Sequence, residues 1–221
     1  MISKSKVVKS KLWGLAALLF LIVGVLLILY PKWNQYKEYQ RELQLLTEWD
    51  SLSTMTTASA EQTSHTPADQ EHKSGTLAFK PKVIDGLRVY GTIHIEKIDL
   101  REPMVEGATQ ESLKVGSGIV VPERMPGEIG NFVLASHRSQ SFGRHYNRLD
   151  ELEVGDTIKL VSMDQAFTYT VESKFIVTPD DLSVLDQNES EKELTLITCE
   201  PIDTATHRLI VKATMQETDK L

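Results

Sequence analysis

At 221 residues, the chain has room for one domain of ordinary size plus accessory segments, and its formal net charge is −7. Residues 1–50 carry seven Lys/Arg and four Asp/Glu, so the rest of the chain is strongly negative, which argues against nucleic-acid binding by the folded part. A single cysteine excludes an intrachain disulfide framework.

The N-terminus is predicted to be a membrane anchor. Residues 12–30 (LWGLAALLFLIVGVLLILY) carry no charge, and as a helix rising about 1.5 Å per residue they would span a bilayer core. Lysines concentrate in residues 1–11, so the positive-inside rule predicts a cytoplasmic basic tail and an extracellular C-terminal domain, hence a single-pass cell-membrane protein. A cleaved signal peptide is the alternative. The run ends in Ile-Leu-Tyr-Pro-Lys-Trp, without small residues for cleavage, which favours an uncleaved signal anchor.

Residues 31–80 are predicted to connect this anchor to the domain. Residues 33–50 lack Gly and Pro, which is typical of a helical stalk. Residues 51–80 are rich in Ser, Thr, Ala, Gln and His and poor in large apolar side chains, so they cannot bury a core of their own. The sequence therefore predicts a flexible linker there.

Residues 81–221 form the predicted catalytic domain, in which short β-rich runs alternate with turn signals. The predicted strands are 87–95, 103–106, 117–121, 130–136, 156–163, 166–177, 193–198 and 208–214. Helical patterning is confined to 109–115 and 146–153. About eight short strands predict an all-β domain, either a closed barrel or a sandwich.

Cys199 ends the run Thr-Leu-Ile-Thr-Cys and is followed by Glu200 and Pro201. Because proline cannot donate to a central ladder, the thiol is predicted to lie where a strand stops. A lone cysteine outside the cell is a reactive thiol, an intermolecular link or a buried small apolar residue. A reactive thiol requires a nearby cation to stabilise its thiolate.

His137 and Arg208 are the candidate partners of that thiol. His137 closes the apolar run Phe-Val-Leu-Ala-Ser and could serve as general acid, although it could also merely cap a strand. Arg208 opens the strand after Cys199. If the two strands pair antiparallel, Arg208 faces Cys199 and could hold an oxyanion; the alternative is an arginine that blunts a strand edge. His145, inside the loop after His137, is a rival base.

These segments resemble the sortases, the surface transpeptidases of Gram-positive bacteria. TLITC at 195–199 is similar to their TLxTC signature, FVLASHRS at 132–139 to their histidine segment, and HRLIVKA at 207–213 to their arginine strand. The resemblance covers roughly residues 85–215. It implies an eight-stranded sortase-type β-barrel with short helices, preceded here by the N-terminal transmembrane helix.

The resemblance also implies a reaction. Cys199 would attack the Thr–Gly bond of an LPxTG-like sorting signal, and an amine of lipid II or the peptidoglycan cross-bridge, or a pilin lysine, would resolve the thioacyl-enzyme. His137 would be the acid/base and Arg208 the oxyanion clamp. Thr198, Ala135 and Ser136 are the candidate substrate-binding residues. Ser136 departs from the family, in which glycine often precedes the histidine.

The C-terminus and the acidic loop 178–193 bear on the subclass and on a possible cofactor. The polar C-terminus, without a second apolar span, favours a class A-like or class D-like sortase. No cofactor is expected to be required; the acidic loop 178–193 should cover the substrate groove and could take Ca²⁺, but it lacks a spaced ligand set. A cysteine peptidase that only hydrolyses and a non-enzymatic membrane-tethered β-domain are the alternative functions.

Overall fold

The computed structural model describes residues 4–61, 79–140 and 144–220. One α-helix, α1, spans Lys4–Glu61 and contains Pro31. Within the described residues, α1 is the one helix long and apolar enough to cross a membrane, and its large apolar side chains from Leu18 to Leu29 are exposed. An exposed apolar stretch of this length is consistent with the predicted membrane anchor.

The helix extends beyond the predicted start of the flexible linker. α1 continues through residues 51–61, because that stretch contains no Gly or Pro that would end it. The remainder of the predicted linker that lies at 62–78 is outside the described residues.

Nine strands follow the helix. They are β1 (Lys82–Ile84), β2 (Leu87–Ile95), β3 (Leu100–Glu106), β4 (Ser117–Ile119), β5 (Gly130–Ala135), β6 (Thr157–Val161), β7 (Gln165–Val177), β8 (Lys192–Glu200) and β9 (His207–Lys220). Short 3-10 helices interrupt them at Glu96–Ile98, Ser112–Lys114, Tyr146–Glu151 and Leu182–Leu185. All eight predicted strands are present, and the two predicted helical segments contain 3-10 turns.

The strands close into a barrel. Their order is β1-β2-β3-β4-β5-β8-β9-β7-β6, and β6 also pairs with β2, which closes β2 to β9 into an eight-stranded barrel. The short β1 pairs with the start of β2 outside this closure. The prediction of an all-β, eight-stranded barrel with short helices is thus confirmed.

Alternation along the strands at the site separates the barrel interior from its outer face. Leu194 and Leu196 of β8 and Leu209 and Val211 of β9 belong to the buried core. The residues between them therefore point outward, since successive strand side chains lie on opposite faces. Cys199 has the outward parity, which positions its thiol on the outer face of the barrel.

The C-terminal part of α1 belongs to the same compact unit as the barrel. This unit begins at Glu42. Leu45 and Trp49, one helical turn apart, pack against Ile84, Val89 and Val105 in a second apolar cluster. The predicted stalk is helical, and its part between Glu42 and Trp49 also contributes core residues to the domain.

Replacing Trp49 with alanine is expected to destabilise this unit. Trp49 is 2% exposed, and truncating a buried tryptophan typically lowers the free energy of unfolding by about 3–5 kcal/mol. We expect Tm to fall by roughly 10 °C when the full chain is heated in detergent. Trp33→Ala is the matched control, because Trp33 is 62% exposed. Equal Tm values for the two variants would contradict the docking of this helix segment.

Candidate active site

Cys199 and Arg208 are direct neighbours across the β8–β9 hairpin. Their Cα atoms are partners in the antiparallel pairing of the two strands, as predicted from the sequence. Cys199 is partly exposed and is a free thiol, which disfavours the alternative of a fully buried apolar residue. The Arg208 guanidinium donates through Nη1 to the carbonyl oxygens of Ala205 (3.1 Å) and His207 (2.9 Å). The loop backbone therefore fixes the guanidinium at the end of the hairpin that carries Cys199.

His137 lies at the same edge of the sheet as Cys199. β5 and β8 run parallel, with Ala135 opposite Ile197, and the Ser136 amide donates to the Ile197 carbonyl at 3.1 Å. Parallel neighbours end at the same edge, so the residues that follow them emerge close together. The half-buried His137 therefore follows β5 beside the end of β8 that carries Cys199.

Two contacts lock these strand ends together. The Thr198 hydroxyl donates to the Ser136 carbonyl at 2.9 Å. The Arg138 guanidinium pairs with Glu200 and, at 2.9 Å, with Asp150. The residue after His137 is thus bonded to the residue after Cys199. Sequence reasoning missed Arg138, although a basic residue after the histidine and an acidic one after the cysteine were the available signal.

The three predicted substrate-binding residues differ in their surroundings. Ala135 is partly exposed and lines a groove, whereas Ser136 and Thr198 are 4% and 2% exposed and bond within the protein. These buried hydroxyls hold the strand ends in place. Ala135 is the one of the three that borders open space in this groove, and substrate contact by any of them stays a prediction.

An apolar groove of about 190 Å³ opens beside Arg208. Its floor includes Ala135, Ile197 and Ile210, which are outward-facing residues of β5, β8 and β9. One wall of the groove is formed by residues of the 178–185 segment: Thr178, Pro179, Asp181, Leu182, Val184 and Leu185. The first part of the acidic loop 178–193 thus borders a groove beside Arg208. An apolar groove of this kind suits an extended, largely apolar peptide, and its use by a substrate stays a prediction.

His145, the rival base, lies in a different environment. It is 7% exposed, and its Nδ1 lies 2.7 Å from Oε1 of Glu102, itself 1% exposed. Burial disfavours a charged imidazole, but the Glu102 carboxylate outweighs this effect, so the pKa of His145 is raised. A buried imidazole that is paired with a carboxylate is poorly placed to exchange protons with a substrate, and the assignment of His137 as acid/base stays a prediction.

Within the described residues, no group of three or more His, Cys, Asp or Glu side chains is arranged to hold a metal ion. The sequence expectations about cofactors, including the alternative of Ca²⁺ at the acidic loop, stay predictions.

Comparison with known proteins gives a consistent family assignment. A family model described as "Sortase domain" matches residues 93–216, which is more than half of the chain. The chain is 26% identical to Sortase A of Bacillus anthracis, over 92% of this chain and 94% of the relative. It is 32% identical to Sortase D of Bacillus subtilis (strain 168), over 64% of this chain and 68% of the relative.

A solved structure agrees with these relatives. The Clostridium perfringens Sortase D5 transpeptidase is 36% identical, with a TM-score of 0.52, and the match covers 57% of this chain and 78% of that one. Cys199, His137 and Arg208 all lie within the residues 93–216 that the family model matches.

Proposed function

This chain belongs to the sortase family, whose members are cysteine transpeptidases, and from that premise we propose that it cleaves an LPxTG-like sorting signal between Thr and Gly. It then joins the surface protein to a cell-wall amine on lipid II or peptidoglycan. The observation that carries the proposal is the pairing of Cys199 with Arg208 beside a groove bordered by the end of the histidine strand. Similarity to sortases A and D supports a class A-like or class D-like enzyme.

The proposed reaction begins with the Cys199 thiolate. Its sulfur attacks the carbonyl carbon of the signal's Thr, and the resulting oxyanion is stabilised by the Arg208 guanidinium. His137, as imidazolium, gives its proton to the Gly amine as the C–N bond breaks. The part of the signal that begins with Gly is released, and the Thr carbonyl remains bonded to Cys199 as a thioester.

The second half of the proposed reaction reverses these roles. Neutral His137 accepts a proton from the incoming amine, which attacks the thioester carbon. The new amide bond forms as the C–S bond breaks, and the thiolate is restored. A pilin lysine could take the same place as the cell-wall amine, because both supply a primary amine.

The proposed location follows from the anchor. The apolar stretch of α1 would span the cytoplasmic membrane once, with residues 1–11 in the cytoplasm and the barrel outside, where sorting signals and cell-wall amines meet. The lysines before the apolar run support this orientation.

Transfer to an added amine is the expected result that tests the function. We expect the full chain in detergent micelles to cleave a quenched LPxTG-type peptide and, with triglycine present, to yield the amine-ligated product in mass spectra. Free acid as the product even with triglycine would instead favour a cysteine peptidase. No cleavage and no adduct on Cys199 with any LPxTG-type peptide would contradict the proposal.

A further inference from the structure

A buried polar cluster contacts Ser136, the residue that follows β5. Its centre is Glu102 of β3, which is 1% exposed. The Glu102 carboxylate accepts hydrogen bonds from the hydroxyls of Ser117 (2.9 Å) and Ser136 (3.3 Å), and it contacts Nδ1 of His145 at 2.7 Å. Burying a carboxylate costs several kcal/mol unless it is paired and hydrogen-bonded, and all these partners provide that compensation.

The cluster holds both ends of the loop that carries His137. Ser136 immediately precedes His137, and His145 lies near the far end of the loop, where Tyr146 N donates to the His137 carbonyl at 3.0 Å. The His137 and His145 rings meet edge to face, with centroids 6.4 Å apart. One carboxylate on a barrel strand therefore touches residues at both ends of the loop.

The backbone of His145 is strained. Its φ of 51° lies in the region that side-chain-bearing residues rarely adopt, and such a conformation is destabilising unless the surroundings enforce it. The side-chain contact with Glu102 and a backbone bridge to Arg138 are interactions that can enforce it here. Strain maintained at the base of a catalytic loop is typical of a preorganised site.

Four charged or ionisable groups face the His145 ring. Glu102 of β3 and Glu42 of α1 favour the imidazolium, Arg144 opposes it, and His137 lies across the ring contact. Glu42 is bonded to Arg144 at 2.9 Å, and burial together with the nearby Glu102 raises the pKa of Glu42. The balance of these groups raises the pKa of His145.

We propose that Glu102 and His145 are positioning residues, whose buried pair holds the loop so that the His137 imidazole is presented to Cys199. The inference rests on the proposed transpeptidase function, in which His137 transfers the proton. Neither residue touches substrate; both act through the loop. Because a displacement of about 1 Å can lower a catalytic rate about 100-fold, loss of the pair should act on kcat.

Four variants of the full chain in detergent test this role, by kinetics of peptide cleavage and by iodoacetamide alkylation of Cys199 across pH. Glu102→Gln and His145→Ala are expected to lower kcat roughly 10- to 100-fold, with KM within about threefold. Both should move the alkylation profile towards that of His137→Ala. His145→Asn is expected to recover part of the loss, because its side-chain amide can donate to Glu102.

Glu193→Gln is the matched control. Glu193 is a largely buried glutamate at the start of β8 that pairs with Lys212, outside the Glu102–His145 cluster. We expect its kcat within about twofold of wild type and an unchanged alkylation profile, since it shares no partner with that cluster. A loss in Glu193→Gln equal to that in Glu102→Gln would indicate general destabilisation and overturn the positioning role.

The outcomes separate the two proposals. Wild-type kcat and alkylation in folded Glu102→Gln and His145→Ala, with His137→Ala impaired, overturn the positioning role and leave the transpeptidase intact. If His137→Ala itself behaves as wild type, the Cys199–His137 pairing fails and the positioning role fails with it. If His145→Ala does not fold, Glu102→Gln alone decides the positioning role. Glutamine has the size of glutamate and keeps one acceptor oxygen, but it lacks the negative charge.

Discussion

Cys199→Ala is expected to abolish both cleavage and transfer. Cys199 is the single thiol of the chain, so no other sulfur can form the thioacyl intermediate. Loss of a nucleophile that acts with a base and an oxyanion group lowers kcat by more than about 10⁴-fold in comparable enzymes. The measurement is product formation from an LPxTG-type peptide by mass spectrometry, together with a search for a peptide adduct on the intact protein.

The fold should survive this replacement. Cys199 is partly exposed at the end of β8, so removing its sulfur deletes little core packing and Tm should change by only a few degrees. Cys199→Ser is a useful second variant, because it keeps a hydroxyl of similar size that is a far weaker nucleophile at neutral pH. Peptide cleavage by Cys199→Ala at a rate near wild type would remove the thiol from the reaction.

Local sequence signals were sufficient to predict the barrel strands. Alternation in segments such as 193–198 marks strands whose inner face is buried, and a turn signal delimits most of them. The three-residue β1 was missed because so short a segment carries no periodicity. Pairing of β8 with β9 followed from their short connection, and with it the approach of Cys199 to Arg208.

Contacts distant in sequence were not predictable in this way. The polar segment 33–50 indicated a helix, but its packing of Trp49 against Val89 depends on a strand 40 residues away. Similarly, the pair of Glu102 and His145 joins residues 43 positions apart. One signal was available: Leu100, Glu102 and Met104 share the buried face of β3. Beginning the predicted strand at residue 103 hid a glutamate at a core position.

Replacing Arg208 is expected to have the second-largest effect. Arg208→Ala should lower kcat/KM by about 100-fold or more, because the proposed oxyanion would lose a positioned cationic donor. Arg208→Lys should recover part of this loss, since lysine keeps the charge but lacks the planar fork that two loop carbonyls orient. The measurement is kcat/KM for an LPxTG-type peptide in both variants.

His207→Ala is the matched control for Arg208. His207 precedes Arg208 in β9, is exposed and points to the opposite face of the strand, so its kcat/KM should stay within about twofold of wild type. Because Arg208 also lines the groove, its loss could raise KM by weakening peptide binding. A fall in kcat/KM that comes from a higher KM alone would assign Arg208 to substrate binding, whereas a fall in kcat would support oxyanion stabilisation. Unchanged kcat and KM in Arg208→Ala would exclude it from the site despite its pairing with Cys199.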